Sequence, residues 1–153
     1  MENANEIIIL MAEDDNGHAE LIKENLYDAG IKNKIIRFNN GTKILNFLYN
    51  QLSMGDDKYN SHLSYLILLD IQMPEIDGIE VLKKIKSDPT LKKIPIIMLT
   101  TTDDHREIQK CYELGCNCYI TKPVEFNKLA ETLRRLGLFI LVVKIPDSSG
   151  EKK

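Results

Sequence analysis

The sequence has no surplus of positive charge, no long apolar run and few cysteines, and each lack excludes a class of function. Twenty Lys and Arg stand against 23 Asp and Glu, a net charge of −3, so nothing here is built to neutralise a nucleic-acid backbone. No charged segment leads into a secretory-type apolar stretch, and no apolar run reaches the roughly 18 residues of a membrane-spanning helix. Neither export nor membrane insertion is expected, and the location read from the sequence is cytoplasmic. The three cysteines, Cys111, Cys116 and Cys118, are odd in number and lack Cys-x-x-Cys spacing. With no histidine beside them they give too few ligands for a tetrahedral metal site, so buried, reduced thiols are the expectation.

What is present is enough for one unit with its own core: 153 residues, 43% hydrophobic and 28% charged. Residues 1–145 are expected to form a single domain and 146–153, "PDSSGEKK", a frayed tail. Five apolar runs of strand length read as buried strands: "EIIILMA" (Glu6–Ala12), "KIIRF" (Lys34–Phe38), "YLILLD" (Tyr65–Asp70), "IPIIMLT" (Ile94–Thr100) and "NCYIT" (Asn117–Thr121). Between and after them apolar residues recur at helical spacing. They are Ala19, Ile22, Leu26 and Ala29; Ile44, Leu45, Leu48 and Leu52; Val81, Leu82 and Ile85; Ile108, Cys111 and Tyr112; and Phe126, Leu129, Leu133, Leu136, Ile140 and Val143. Gly30 and Gly115 supply stops, Pro89 disfavours helix at Asp88, and the last helix is expected to run through Gly137. From Ser53 to Ser64 the chain is polar and aperiodic, a loop longer than usual. Five strand-helix alternations predict an α/β fold: a doubly wound parallel sheet with helices on both faces and right-handed crossovers.

In such a sheet, ligands bind outside the carboxyl ends of the strands, where strand order reverses. Those ends carry Glu13, Asp14 and Asp15 after the first strand, Asp70 after the third, Thr100 after the fourth, and Thr121, Lys122 and Pro123 after the fifth. Acids brought together from two strands repel and raise one another's pKa, a conflict that a divalent cation removes. Magnesium prefers about six oxygens and is typically held by one or two carboxylates plus phosphate oxygens, which suits Glu13, Asp14 and Asp70. A hydroxyl at Thr100 and an ammonium at Lys122 would face phosphoryl oxygens, making Asp70 a candidate phosphoryl acceptor. Each signal alone has a plainer meaning. "EDDN" and Thr100 to Asp104 would serve as helix caps, Lys122 as a solvated side chain, and "DIQMPEIDG" as a turn with Gly78 at positive φ. Their shared position at one end of successive strands favours the joint reading.

With these motifs in this order over nearly its whole length, the chain resembles the receiver domain of two-component response regulators. The resemblance implies a flavodoxin-like strand order 2-1-3-4-5. It makes Glu13 and Asp14 the acid pair, Asp70 the phosphoacceptor, Thr100 the switch hydroxyl, and Lys122–Pro123 a Lys-Pro motif whose peptide bond is usually cis in receivers. It adds the backbone carbonyl of Gln72 to the ligands of a magnesium ion, with manganese as a substitute. Tyr119 falls at the aromatic position that turns inward when the threonine moves, and equally suits ordinary packing. Gln72 and Thr102 occupy positions where receivers tune the lifetime of the phosphoryl group; threonine at 101 departs from the small residue frequent there.

The polar loop, the "LTTT" and "TKPVEF" segments and the ending "FILVVKIP" look like stand-alone receivers that partner phytochrome-type sensor kinases. That likeness implies a sensor histidine kinase as phosphoryl donor, no output domain after Lys122, and signalling through protein contacts to an unnamed target. It also raises a homodimer through the fourth helix, fifth strand, fifth helix and the apolar segment Phe139 to Val143; the same segment could instead fold back on its own core. Beyond self-catalysed phosphoryl transfer and dephosphorylation, no enzyme activity is expected. Two alternatives stand beside this reading. A haloacid-dehalogenase-type phosphohydrolase shares the residue types, yet places its nucleophile on the first motif strand with a second acid two residues later, where position 72 is Gln. A flavodoxin-like cofactor binder shares the alternation, yet needs a phosphate-cradling loop where this chain has "EDDNG".

Overall fold

The computed structural model of the protein describes residues 6–53 and 63–143. Residues 54–62 of the expected polar loop and the tail at 146–153 lie outside them. Five strands, β1 (Glu6–Ala12), β2 (Ile35–Phe38), β3 (Leu63–Leu69), β4 (Ile96–Thr100) and β5 (Cys118–Thr121), form one parallel sheet in the order β2-β1-β3-β4-β5. Five helices connect and follow them: α1 (Asn16–Asp28), α2 (Gly41–Leu48), α3 (Gly78–Ser87), α4 (His105–Leu114) and α5 (Phe126–Val142).

Because strand side chains alternate in direction, an all-apolar strand must be covered on both faces. Leu10, Tyr65, Ile67, Leu69, Ile96 and Met98 face a core closed by Ile44 and Leu48 of α2, Val81 and Ile85 of α3, and Cys111 of α4. Ile9, Met11, Leu66, Leu68, Ile97 and Leu99 face the other, closed by Ala19, Ile22 and Leu26 of α1 and by Leu129, Leu133 and Leu136 of α5. The helical spacings thus become packing: the apolar stripe of each helix is the part its sheet face covers.

Helix ends follow local chemistry. Asp15, Asn40, Asp77 and Asp104 each accept a backbone N–H from the first turn of the helix they precede. Gly30 and Gly115 take positive φ where α1 and α4 stop. Gly137 lies within α5, and a Cβ there would sit 2.7 Å from the Cβ of Ala29, so its missing side chain lets α5 lie close to α1.

Four expectations change. Tyr112 is exposed rather than inward, and its hydroxyl accepts the Tyr119 N–H at 3.0 Å, so it ties α4 to β5 through its polar end. Phe126 opens α5 on the solvent side, 63% exposed. Leu52 falls in a π-turn, Tyr49–Ser53, beyond the end of α2. Gly78 is not at positive φ. Its N–H donates to the Ile71 carbonyl at 2.7 Å, and a Cβ there would overlap the Asp70 carbonyl; glycine is needed for close approach, not for handedness.

Candidate functional site

The sheet order reverses between β1 and β3, and the parallel register pairs Ala12 with Leu69. The next residues, Glu13 and Asp70, therefore leave neighbouring strands side by side, with Asp70 N–H donating to the Ala12 carbonyl at 3.1 Å. On the other flank Thr100 pairs with Thr121, and Lys122 N–H donates to the Thr100 carbonyl at 2.7 Å. Burial makes the site conspicuous. The buried polar residues among those described are Glu13, Ser64, Asp70, Thr100 and Lys122, and all but Ser64 lie at these strand ends. Buried charges are costly unless paired, so these groups must satisfy one another or a ligand.

Glu13, Asp14 and Asp70 each present a carboxylate oxygen within 4.8 Å of the others. Lys122 is the cation among them: its Nζ donates to Glu13 Oε1 at 2.8 Å and lies 3.5 Å from Asp70 Oδ2. Glu13 Oε2 accepts the Asp15 N–H at 3.2 Å. Burial, its largest influence, pushes the Glu13 carboxyl up from its ordinary 4.5; the Lys122 hydrogen bond pulls it back and the Asp70 charge raises it further. Asp70 Oδ1 accepts the Ile71 N–H at 2.7 Å, which anchors one carboxylate oxygen and leaves the other on the Lys122 side. A cavity of about 410 Å³ opens over this group, lined by Glu13, Asp14, Asp15, His18, Asp70, Gln72, Thr101 and Lys122. Three carboxylates against one ammonium, beside a polar cavity, is a donor set that fits a hard divalent cation.

Thr100 is brought to the site but not into the cavity. It is fully buried and its Oγ1 has no hydrogen-bond partner, while Thr101 forms the cavity wall. Tyr119 is half-buried; its hydroxyl donates to the Thr102 carbonyl at 2.6 Å, pinning β5 to the β4–α4 loop, and burial drives its pKa well up. No peptide bond among the described residues is cis, so Lys122–Pro123 is trans, against the expectation from the family. The two isomers of an X-Pro bond differ by only about 0.5–1 kcal/mol, so the dipeptide itself does not dictate either.

Two residues that no motif marked also belong here. Arg37 of β2 donates through Nε to the Glu13 carbonyl at 2.9 Å and through Nη1 to Asn16 Oδ1 at 2.7 Å, clamping the loop that carries the acids. His18, in the first turn of α1, places Nδ1 3.2 Å from Lys122 Nζ. A basic residue on an edge strand and a histidine on a helix look unremarkable in sequence; only proximity to the strand ends gives them a role.

The family model described as the response regulator receiver domain matches residues 9–134. The chain belongs to this family. Among curated relatives, the receiver is 35% identical over 134 residues to the response regulator Rcp1 of Synechocystis, covering 88% of each chain. A manganese-bound crystal structure of Rcp1 matches with a TM-score of 0.79 at 33% identity, over 91% of this chain and 98% of that one. A receiver domain from Rhodospirillum rubrum matches with a TM-score of 0.83 at 47% identity, over 92% and 97%. The phosphorylated cyanobacterial phytochrome response regulator RcpA matches at 0.79 and 31%, over 93% and 99%. Membership decides between the receiver, phosphohydrolase and cofactor-binder readings in favour of the first: this is a response regulator receiver of two-component signalling. No helix of the described residues is long and apolar enough to cross a membrane.

Proposed function

We infer that this receiver takes a phosphoryl group on Asp70 from the phosphohistidine of a sensor kinase. An oxygen of Asp70 forms the new O–P bond as the N–P bond of the donor breaks and the imidazole leaves. The observation that carries this reading is the buried polar group itself: an anchored Asp70 carboxylate, a Lys122 ammonium beside it and a Thr100 hydroxyl with no partner, all at the carboxyl ends of the strands. Glu13, Asp14, Asp70 and the Gln72 backbone carbonyl would hold magnesium, or manganese as in the Rcp1 structure. When bound, the ion neutralises the acids and the negative charge of the incoming phosphoryl group.

The chain's own groups do the rest. Lys122 supplies positive charge to a phosphoryl oxygen. Thr100, which gives up no hydrogen bond by moving, turns its hydroxyl toward another, and Tyr119 follows the space it leaves, altering the surface of α4, β5 and α5. Residues 1–145 act as one receiver unit in the cytoplasm, and self-catalysed transfer and dephosphorylation are its chemistry. The phytochrome response regulators among its relatives support a phytochrome-type kinase as donor. Exposed Leu138, Phe139, Leu141 and Val142 on α5 support a homodimer that continues across α4 and β5; the signal then passes to a further protein.

Incubation with acetyl phosphate and magnesium, followed by intact-mass measurement, should show one phosphoryl group on the wild type and none on Asp70→Asn. An Asp70→Asn protein labelled at the wild-type rate would overturn the assignment.

A further inference from the structure

His18 owes its place to the helix cap. Asp15 Oδ1 accepts the His18 N–H at 2.9 Å, which fixes the first turn of α1 and sets the imidazole, 38% exposed, in the wall of the cavity. Its Nδ1 then lies 3.2 Å from Lys122 Nζ and 4.0 Å from Glu13 Oε2. An ammonium has three protons and no lone pair, so the contact is a hydrogen bond in the tautomer that leaves Nδ1 free to accept.

The three neighbours of the Lys122 ammonium differ in what the receiver reaction does to them. Glu13, at 2.8 Å, and Asp70, at 3.5 Å, are both members of the acid cluster. A cation entering the cavity competes with Lys122 for both carboxylates, and the oxygens of a phosphoryl group on Asp70 compete with those carboxylates for Lys122. His18 stands outside the acid cluster, so its contact with Lys122 is the one that need not change. We propose that His18 is a positioning residue: its Nδ1 keeps the Lys122 ammonium at the cavity wall while Glu13 and Asp70 change partners, and thereby speeds phosphoryl transfer to Asp70. The proposal rests on the receiver reading above.

Three substitutions separate this role from simple packing. Asn carries its amide oxygen at the δ position that Nδ1 occupies, Gln carries it one bond further out, and Ala carries no acceptor. In His18→Ala, phosphorylation by acetyl phosphate at saturating magnesium should slow about three- to tenfold, the net effect of losing one ordinary hydrogen bond at a partly exposed site. The nitrogen NMR signal of the Lys122 ammonium, recorded before any donor is added, should broaden through faster exchange with water. His18→Asn should restore both rate and signal, His18→Gln neither, and magnesium affinity should stay within about twofold throughout, since the acids are untouched. Wild-type rate and signal in His18→Ala would overturn the proposal, as would Asn and Ala proteins that are equally impaired. A wild type that takes no phosphoryl group at all overturns the receiver reading itself, whereas one that does, with His18→Ala unchanged, overturns the positioning role alone.

Discussion

Glu13 illustrates how a single side chain is held in an unfavourable state for the sake of the site. Its carboxyl is buried beside Asp70, and its pKa is raised despite the 2.8 Å bond from Lys122. Folded Glu13 therefore keeps its proton to higher pH than the unfolded chain does. Over the window that opens upward from 4.5, the folded state binds more proton, and the stability this group contributes falls as pH rises. Without metal, the thermal midpoint of the wild type should decline through that window more than that of Glu13→Gln, as followed by calorimetry. Magnesium, which favours the ionised form, should reduce the difference. Its binding should also stabilise the fold outright, by about 2.7 kcal/mol at 100 times its dissociation constant, and Asp14→Asn should lose most of that gain at the same concentration. A midpoint indifferent to magnesium would contradict the metal site.

Among the elements, the entry into α3 bears most directly on chemistry. Asp77 caps the helix by accepting the Glu80 N–H at 2.9 Å, and Gly78 lies against the Asp70 and Ile71 backbone. Asp77→Ala should cost about 1 kcal/mol in denaturant unfolding, the usual loss for an N-cap. Gly78→Ala should cost about 1–3 kcal/mol by overpacking, and should also slow phosphorylation, because the added methyl displaces the backbone that carries Asp70. An alanine protein with wild-type stability and rate would show that this contact is slack. The packing of α5 on α1 has the same logic: Gly137 weakens the helix locally yet permits contact at Ala29, and contact prevails because most helical stability in proteins comes from packing.

At the scale of the whole molecule, one sheet with two covered faces leaves, among the described residues, an apolar surface at the far end of α5, with Leu138, Phe139, Leu141 and Val142 between 49% and 72% exposed. Next to it, Ile97, Cys118, Ile120, Leu136 and Phe139 line a largely apolar groove of about 300 Å³ against β5, an edge strand of the sheet. If this surface joins two copies, Leu138→Glu with Phe139→Glu should shift sedimentation velocity from dimer to monomer while leaving phosphorylation of Asp70 intact. A wild type that sediments as a monomer before and after phosphorylation would remove the dimer.

The alternation of period two and period three to four is written along the chain, because each strand and helix needs its own apolar pattern wherever it ends up. Glu6–Ala12 was legible as a strand to the residue, and Gly30 and Gly115 as stops. The acids at strand ends were legible too, since a carboxylate closing an apolar run has few structural reasons to be there. Neighbourhood was not. Lys122 meets Glu13 across 109 positions, and Arg37 and His18 meet the acid loop and Lys122, only because the crossovers set β1 between β2 and β3 and bring α1 over the strand ends. Tertiary packing also decided that Thr100 hides its hydroxyl behind Thr101, that Tyr112 faces outward, and that Gly78 answers to a backbone eight residues earlier. The local pattern selects which residues are buried; the order of the strands selects which of them touch.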